Sequence, residues 1–247
     1  MTSGRGSWSN VGAAFDLVAD AHAEFVDRGP LAAIDIAVRE RLLAIAESGP
    51  GAAADLGCGA GADAEVLIAH GWTVHLIDAS ARMLALAEER LRASSSVRFR
   101  RDDALESLRS DHERYDLGLL IGELLAYVER PEELLRALHA RLQGGARVLG
   151  TYVRRQAILP RLSPADVLRD DGVVVTFVER DKRCDAPALV AKAFEDAHLA
   201  RMLEHSGFVP IELVVLDGSA RGAFVVAGGE QLDVVASRST SQQGPQR

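Results

Sequence analysis

The 247-residue sequence has few of the features that mark secreted or membrane-spanning proteins. Two cysteines, Cys58 and Cys184, are too few for a disulfide framework, which suits a reducing compartment. No run approaches the ~18 apolar residues of a membrane span. The N-terminal stretch MTSGRGSWSN also lacks the apolar core of a secretory signal. We therefore expect a cytoplasmic protein with no membrane partner.

Positive charge is also scarce. The net charge is −8, and lysine occurs only at Lys182 and Lys192. A total of this sign argues against a nucleic-acid partner, although a local basic patch could still exist. Frequent arginine and alanine are typical of a GC-rich bacterial genome, which is an association and not a physical argument.

Apolar residues make up 48% of the chain, and their pattern alternates between short runs and helical spacing. Strands are predicted at AAADL, TVHLI, VRFR, YDLGLLI, ARVLGTYV, IELVVL and GAFVVAG. Helices are predicted at ADAEVLIAHG, SARMLALAEERLR, PEELLRALHARLQGG, which Gly144 would end, and DAHLARMLEHSG. Because alternation of this kind gives right-handed crossovers, we expect an α/β fold with a Rossmann-like, doubly wound sheet of about seven mostly parallel strands.

Composition divides the chain into three parts. Residues 1–9 and the tail 230–247 have the composition of disordered segments, and residues 10–229 form the predicted domain. Within the domain, residues 155–190 break the strand–helix rhythm with Pro160, Pro164, an extra apolar run and mixed charges. We expect this stretch to be an insertion that forms a lid.

The stretch AADLGCGAGADAEVL concentrates glycine between two carboxylates. Three glycines, Gly57, Gly59 and Gly61, stand between Asp55 and Asp63. A strand, a glycine loop and a helix in this order point backbone N–H groups at a ligand. The spacing also fits a dinucleotide motif, but the two aspartates would repel a pyrophosphate. A cationic ligand without phosphate, such as S-adenosylmethionine, suits the loop better.

Further carboxylates follow the next two predicted strands. Asp78 ends TVHLID 21 positions after Gly57 (78 − 57), where an acidic residue can take a ribose diol. Its alternative role is to cap the next helix, for which Ser80 is the better candidate. Asp102 and Asp103 follow the third strand, where a carboxylate can accept the exocyclic amine of adenine or belong to a solvated acidic turn.

These motifs, in order and spacing, resemble those of class I S-adenosylmethionine-dependent methyltransferases over residues 10–228. DLGCGAG resembles the first motif, VHLIDASARML the second, and RRDDALE the Gly-Asp-Ala motif with Asp102 in place of glycine. YDLGLLIGELLAYVERPEELLRAL resembles the fourth-strand motif, and LQGGARVL the turn into strand five, with Gln143 in place of proline. The resemblance implies the cofactor-binding residues Asp55, Gly57, Cys58, Gly59, Gly61, Asp78, Ala79, Met83, Asp103, Ala104 and Gly122.

The segment AFDLVADAHAEFV resembles the helix that covers the cofactor in small-molecule members, with Phe15 and His22 at the usual tyrosine positions. His22 is a candidate base, because an imidazole titrates near pH 6.5, or a surface histidine of that helix. Tyr127, after the fourth strand, is either catalytic or a pocket wall, and Glu123 either faces a ligand or caps a helix. We name His22 and Tyr127 as the catalytic candidates and expect no metal.

The predicted function is methyl transfer to a small-molecule acceptor in bacterial secondary metabolism, by a monomer or homodimer. One alternative is methylation of a tRNA wobble-uridine carboxylate, against which the net charge of −8 counts. Another is a non-methylating member of the fold that retains the cofactor. The resemblance does not separate these three functions.

Overall fold

The computed structural model describes residues 8, 11–28, 33–179, 188–209, 211–216 and 219–228. Apart from Trp8, the segments 1–9 and 230–247 that were predicted to be disordered lie outside the described residues. No helix within these ranges is both long and apolar enough to cross a membrane.

The helices and strands alternate over most of the described chain. The helices are α1 (Val11–Arg28), α2 (Ala33–Glu47), α3 (Ala62–Ala69), α4 (Ala81–Leu91), α5 (Ala104–Ser110), α6 (Leu124–Tyr127), α7 (Pro131–His139), α8 (Arg155–Ile158) and α9 (Asp196–His205). The strands are β1 (Ala52–Leu56), β2 (Thr73–Asp78), β3 (Val97–Arg101), β4 (Tyr115–Leu120), β5 (Leu142–Val153), β6 (Val167–Asp170), β7 (Val174–Glu179), β8 (Leu189–Phe194), β9 (Ile211–Val215) and β10 (Arg221–Gly228).

Seven strands form one large sheet in the order β3-β2-β1-β4-β5-β10-β9. Neighbours from β3 to β5 are parallel, and β10 runs antiparallel between β5 and β9. The predicted α/β fold with about seven mostly parallel strands is thereby confirmed. The chain leaves β1 toward β2 and β3, then returns to β4 on the other side. This reversal opens a crevice at the carboxyl ends of β1 and β4, where ligands of such sheets bind.

Helices cover both faces of the large sheet, as a doubly wound fold requires. Successive residues of β1 point to opposite faces, so Ala53 and Ala54 belong to two different cores. Ala54 shares a core with leucines of α5, α7 and α9, whereas Ala53 shares one with Leu42 of α2 and Leu67 of α3.

The boundaries of α7 illustrate how the local sequence and the sheet compete. Pro131 occupies the first turn, where its missing N–H costs nothing. The helix ends at His139 with Ala140 as its C-cap, so the prediction that Gly144 ends it was wrong. The reason is that pairing with β4 begins at Leu142, which takes the glycines into β5.

A small antiparallel sheet, β6-β7-β8, begins within the predicted insertion 155–190, but β8 continues beyond it to Phe194. Val175, Phe177, Ala191 and Ala193 form a separate buried cluster in this sheet, while Phe194 of β8 packs into a core of the large sheet. Asp196, at the start of α9, joins this region to the large sheet. Its carboxylate accepts hydrogen bonds from Tyr152 (2.9 Å), from Arg154 (2.9 and 3.1 Å) and from Gln156.

Candidate cofactor and acceptor site

A cavity of about 370 Å³ lies at the carboxyl ends of β1, β2 and β4, beneath α1. Of the predicted cofactor-binding residues, those lining it are Gly57, Gly59, Asp78, Ala79, Met83, Asp103, Ala104 and Gly122. Both catalytic candidates, His22 and Tyr127, line it too. Asp55, Cys58 and Gly61 are not among its lining residues. Their assignment as cofactor-binding residues therefore remains a prediction.

The glycine loop forms an open cradle in the cavity wall. Gly59 has a φ of +52°, which disfavours any other residue, and a Cβ built there would meet nothing within 4 Å. The amides of Gly57 and Cys58 both donate to Ile77 O on β2, at 2.8 and 3.1 Å. These bonds hold the loop against the neighbouring strand and leave its outer side available to a ligand.

Asp78 connects the loop to the start of α4. Its Oδ2 accepts from Gly59 N at 2.9 Å and its Oδ1 from Ser80 N at 2.8 Å. Ser80 is the N-cap of α4 and accepts from Met83 N, so the alternative that Asp78 caps this helix is excluded. Burial raises the pKa of Asp78. A carboxylate oxygen can accept more than one bond, so Asp78 keeps acceptor capacity toward the cavity.

Asp55 is a buried carboxylate with an unsatisfied oxygen. Only 2% of the residue is exposed, and its Oδ2 has no hydrogen-bond partner. Burial, with Asp63 and Asp78 nearby, holds its pKa well above the usual range. Burial also raises the pKa of Asp63 to about 6. The unsatisfied carboxyl oxygen of Asp55 behind a glycine cradle fits a ligand that carries positive charge and no phosphate, as S-adenosylmethionine does.

The thiol of Cys58 has no chemical role in this arrangement. Burial raises its pKa well above the ordinary value, and the nearby carboxylates act in the same direction. The group therefore stays a protonated thiol and is a poor nucleophile.

The carboxylates after β3 are held by their own neighbours. Asp103 is the N-cap of α5, where its Oδ1 accepts from Leu105 N and Glu106 N at 2.9 and 3.1 Å. Asp102 accepts from Arg100 at 2.7 Å. Both aspartates also line the cavity, so an adenine contact by Asp103 stays a prediction that the geometry permits.

Helix α1 is fastened over the cavity by close contacts with the β2–α4 turn. A Cβ on Gly12 would lie only 2.7 Å from Ala79 O, so the helix backbone approaches this turn as only glycine allows. Asp16 Oδ1 accepts from Ser80 Oγ at 2.6 Å and from Arg82 N at 2.9 Å. Hydrogen bonding, first from the Arg82 backbone, lowers the pKa of Asp16. This attachment brings Phe15 and His22 to the cavity wall.

Aromatic side chains form the part of the wall near β4. The rings of Phe15 and Tyr127 pack edge to face with centroids 5.5 Å apart, and His22 lies 6.3 Å from Phe15. The Tyr127 hydroxyl donates to Glu179 Oε2 of β7 at 2.7 Å. Trp8 also lines the cavity, which the sequence did not indicate because it stands in a Ser/Gly-rich stretch.

Glu123 lies outside the cavity lining. It has a φ of +59°, the one positive value found among non-glycine residues of the described ranges. Its amide donates to Thr151 Oγ1 at 2.9 Å, and its carboxylate lies 3.4 Å from Arg221. Burial raises its pKa. It occupies the N-cap position of α6 without a side-chain capping bond, so the structure supports neither role predicted for it.

The strand order and the position of the cavity define the fold of class I methyltransferases. Residues 53–145 match a protein family described as a methyltransferase domain. No curated protein matches the chain in sequence. Residues 53–145 are therefore similar to a methyltransferase domain, and the chain shares its fold with solved S-adenosylmethionine-dependent methyltransferases.

Three solved structures show how far the fold extends over the chain. An S-adenosylmethionine-dependent methyltransferase from Clostridium acetobutylicum is 17% identical with a TM-score of 0.62, covering 85% of this chain and 98% of its own. The 1,6-didemethyltoxoflavin-N1-methyltransferase of Burkholderia thailandensis is 19% identical with a TM-score of 0.58, covering 93% and 94%. The CcbJ methyltransferase of Streptomyces caelestis is 16% identical with a TM-score of 0.64, covering 88% and 98%.

Proposed function

We propose that the protein transfers a methyl group to a small-molecule acceptor in bacterial secondary metabolism. The observation that carries the proposal is the covered cavity. Helix α1 is fastened across it by Gly12 and Asp16, so an acceptor must fit beneath the helix. A small molecule can enter such a space, whereas a folded RNA would need an open, basic face. One similar structure, that of the Burkholderia enzyme, contains 1,6-didemethyltoxoflavin, a small molecule.

Different residues of the cavity would bind different parts of the cofactor. S-adenosylmethionine supplies an activated methyl group on a sulfonium centre. Asp78 would accept the ribose hydroxyls and Asp103 the adenine amine, while Asp55 would offset positive charge from behind the glycine loop. Helix α1 would exclude water and keep the acceptor aligned with the methyl group, which accounts for much of the rate in reactions of this kind.

His22 would serve as the base when the acceptor carries a proton. An imidazole nitrogen of His22 would take the proton that the acceptor atom releases when it is methylated. Tyr127, held by Glu179, would position the acceptor rather than exchange protons. Its hydroxyl is already committed as a donor to a carboxylate.

Incubation with cofactor labelled in its methyl group tests the proposal directly. The label should appear in small molecules of a bacterial metabolite extract and not in total tRNA, and Asp78→Ala should abolish incorporation at low cofactor concentration. Labelled tRNA would support the wobble-uridine alternative. Tight binding of S-adenosylhomocysteine without label in either fraction would indicate the non-methylating alternative.

A further inference from the structure

The cavity has two chemically different ends. One end carries the carboxylates of Asp78, Asp102 and Asp103, which follow β2 and β3. The other, here called the aromatic end, is formed by Trp8, Phe15, Tyr127 and Val128. The rings of Phe15 and Tyr127 pack on each other, and Lys192 contacts both Trp8 and Val128. In the sheet, β2 and β3 lie on one side of β1, and β4, which precedes Leu124 and Tyr127, lies on the other. The two ends are therefore separated along the sheet.

The further inference rests on the proposed function. If the adenosyl part of the cofactor occupies the carboxylate end, the aromatic end remains for the acceptor. The chemistry of that end then limits what the acceptor can be.

The aromatic rings at this end are held in place by neighbours outside the cavity. Phe15 packs edge to face on Tyr127, at an interplanar angle of 86°, and Glu179 holds the Tyr127 hydroxyl. The Lys192 ammonium lies 4.7 Å from the centroid of the Trp8 ring and donates to the carbonyls of Val128 and Glu129. Fixed rings lose little conformational entropy on binding and favour a flat partner that can pack against them.

The distribution of charge disfavours an ionic acceptor. Neither arginine nor lysine occurs among the described residues that line the cavity, and the Lys192 ammonium beside Trp8 already donates to two carbonyls, so an anion would lose its hydration without an ion pair from the lining. A cation packed against Trp8 would be repelled by the ammonium of Lys192 on the same ring. A neutral acceptor avoids both penalties.

Polar groups at this end are too few for a sugar or another polyol. The hydrogen-bonding side chains among the described residues there are the Trp8 indole and the Tyr127 hydroxyl, with His22 beside Phe15. The hydroxyl of Tyr127 already donates to Glu179. A polyol would lose most of its bonds to water without replacement, which is costly.

We infer that the acceptor is a neutral, planar aromatic or heteroaromatic molecule that packs among Trp8, Phe15 and Tyr127. Its nucleophilic atom would be a ring substituent or ring atom directed toward the centre of the cavity, within reach of His22. An aromatic ring matches the edge-to-face and offset packing that these side chains favour.

Calorimetry on protein saturated with S-adenosylhomocysteine tests this inference with a matched pair of probes, 2-naphthol and decahydro-2-naphthol. The two share a carbon skeleton and one hydroxyl and differ in aromaticity. We expect 2-naphthol to bind at least tenfold more tightly. Trp8→Leu should reduce that preference at least fivefold, and Phe25→Leu, which changes an exposed aromatic residue of α1, should preserve it. Methyl glucoside and benzyltrimethylammonium should bind more weakly than 2-naphthol.

Equal binding of the two naphthol probes, or tighter binding of the glucoside or the ammonium, would overturn the inference. An unchanged preference in Trp8→Leu would also count against it, provided that S-adenosylhomocysteine still binds the variant. A failure here leaves the proposed function standing if labelled methyl groups still enter other small molecules. If S-adenosylhomocysteine itself does not bind the wild-type protein, the proposed function fails first.

Discussion

The large sheet and the small sheet contribute to the cavity in different ways. The large sheet supplies turns that directly follow parallel strands, where the backbone amides of Gly59 and Ser80 fix the carboxylate of Asp78. The small sheet contacts the cavity wall through side chains, with Glu179 and the apolar cluster against Tyr127 and Lys192 near Trp8. The carboxylate end is thus fixed by backbone amides of the large sheet, whereas the aromatic end depends on side-chain contacts with the small sheet. Substitutions in the small sheet can therefore alter acceptor choice without disturbing the cofactor.

The two sheets also differ in how they are stabilised. The large sheet is packed on both faces by extended cores, whereas the small sheet has a separate cluster of four buried residues and shares Phe194 with a core of the large sheet. A region with few buried apolar contacts opens at lower free energy than the rest of a protein. We expect the small sheet to act as the predicted lid, opening while the large sheet stays folded.

The largest expected effect is on turnover and concerns His22, the proposed base. His22→Ala should lower turnover by roughly 10²–10⁴-fold, the usual range for loss of general base catalysis, with little change in cofactor affinity. The wild-type rate should rise with pH as the base loses its proton, and the variant should lack this limb. His205→Ala, a change to an exposed histidine of α9, serves as the control. A variant that keeps normal turnover and the same pH profile would show that His22 is only part of the helix surface.

A smaller effect is expected on cofactor affinity, at the carboxylate end of the cavity. Charge-assisted hydrogen bonds are worth about 1.5–3 kcal/mol each. Asp78→Ala should therefore weaken binding of S-adenosylhomocysteine at least tenfold in calorimetry, and Asp170→Ala in the small sheet should leave it unchanged. Because Asp78 also orders Gly59, circular dichroism should establish that the variant is folded. An unchanged dissociation constant would refute the assignment of Asp78 to the ribose.

A substitution at Asp196, between the two sheets, tests whether the sheets unfold independently. Asp196→Ala removes the acceptor of Tyr152 and Arg154 and should increase amide exchange of β7 and β8 roughly tenfold, with little change in β1 or β4. Glu204→Ala, an exposed change on the same helix, should not affect exchange. Cofactor and acceptor together should slow exchange in the wild-type small sheet. Uniform loss of protection in both sheets would mean that they unfold as one unit.

The smallest expected effect is on thermal stability and concerns Asp63, a half-buried acid near the glycine loop. The pKa of Asp63 is raised from 3.8 to about 6, so the folded protein without cofactor holds this proton more tightly than the unfolded chain. Its cost to stability is absent below about pH 4, grows as the pH rises, and is complete above about pH 6. Asp63→Asn should therefore raise Tm by a few degrees at pH 7.5 and hardly at all at pH 4. A gain of equal size at both values would exclude a titration origin.

Much of the carboxylate end of the cavity could be predicted because the sequence motifs that form it each span only a few neighbouring residues. Asp78 and Ser80 stand at fixed positions relative to a strand and the next helix, and the predicted helix start at Ser80 was confirmed. Helix α5 was not predicted, although Asp103 caps it, because its seven residues carry too short a periodic signal. The end assigned to α7 at Gly144 was wrong because long-range pairing of β5 with β4 decided that boundary.

The sequence by itself determined the fold class, the glycine loop and the carboxylates that follow successive strands, because strand periodicity, turn chemistry and motif spacing act over a few neighbouring residues. Only the tertiary structure decided which residues form the aromatic end. Glu179 meets Tyr127 across 52 positions of the chain, and Lys192 meets Trp8 across a greater separation. No short-range pattern encodes such contacts. They exist because packing of the small sheet against α6 and of α1 against α4 brings distant side chains to one wall.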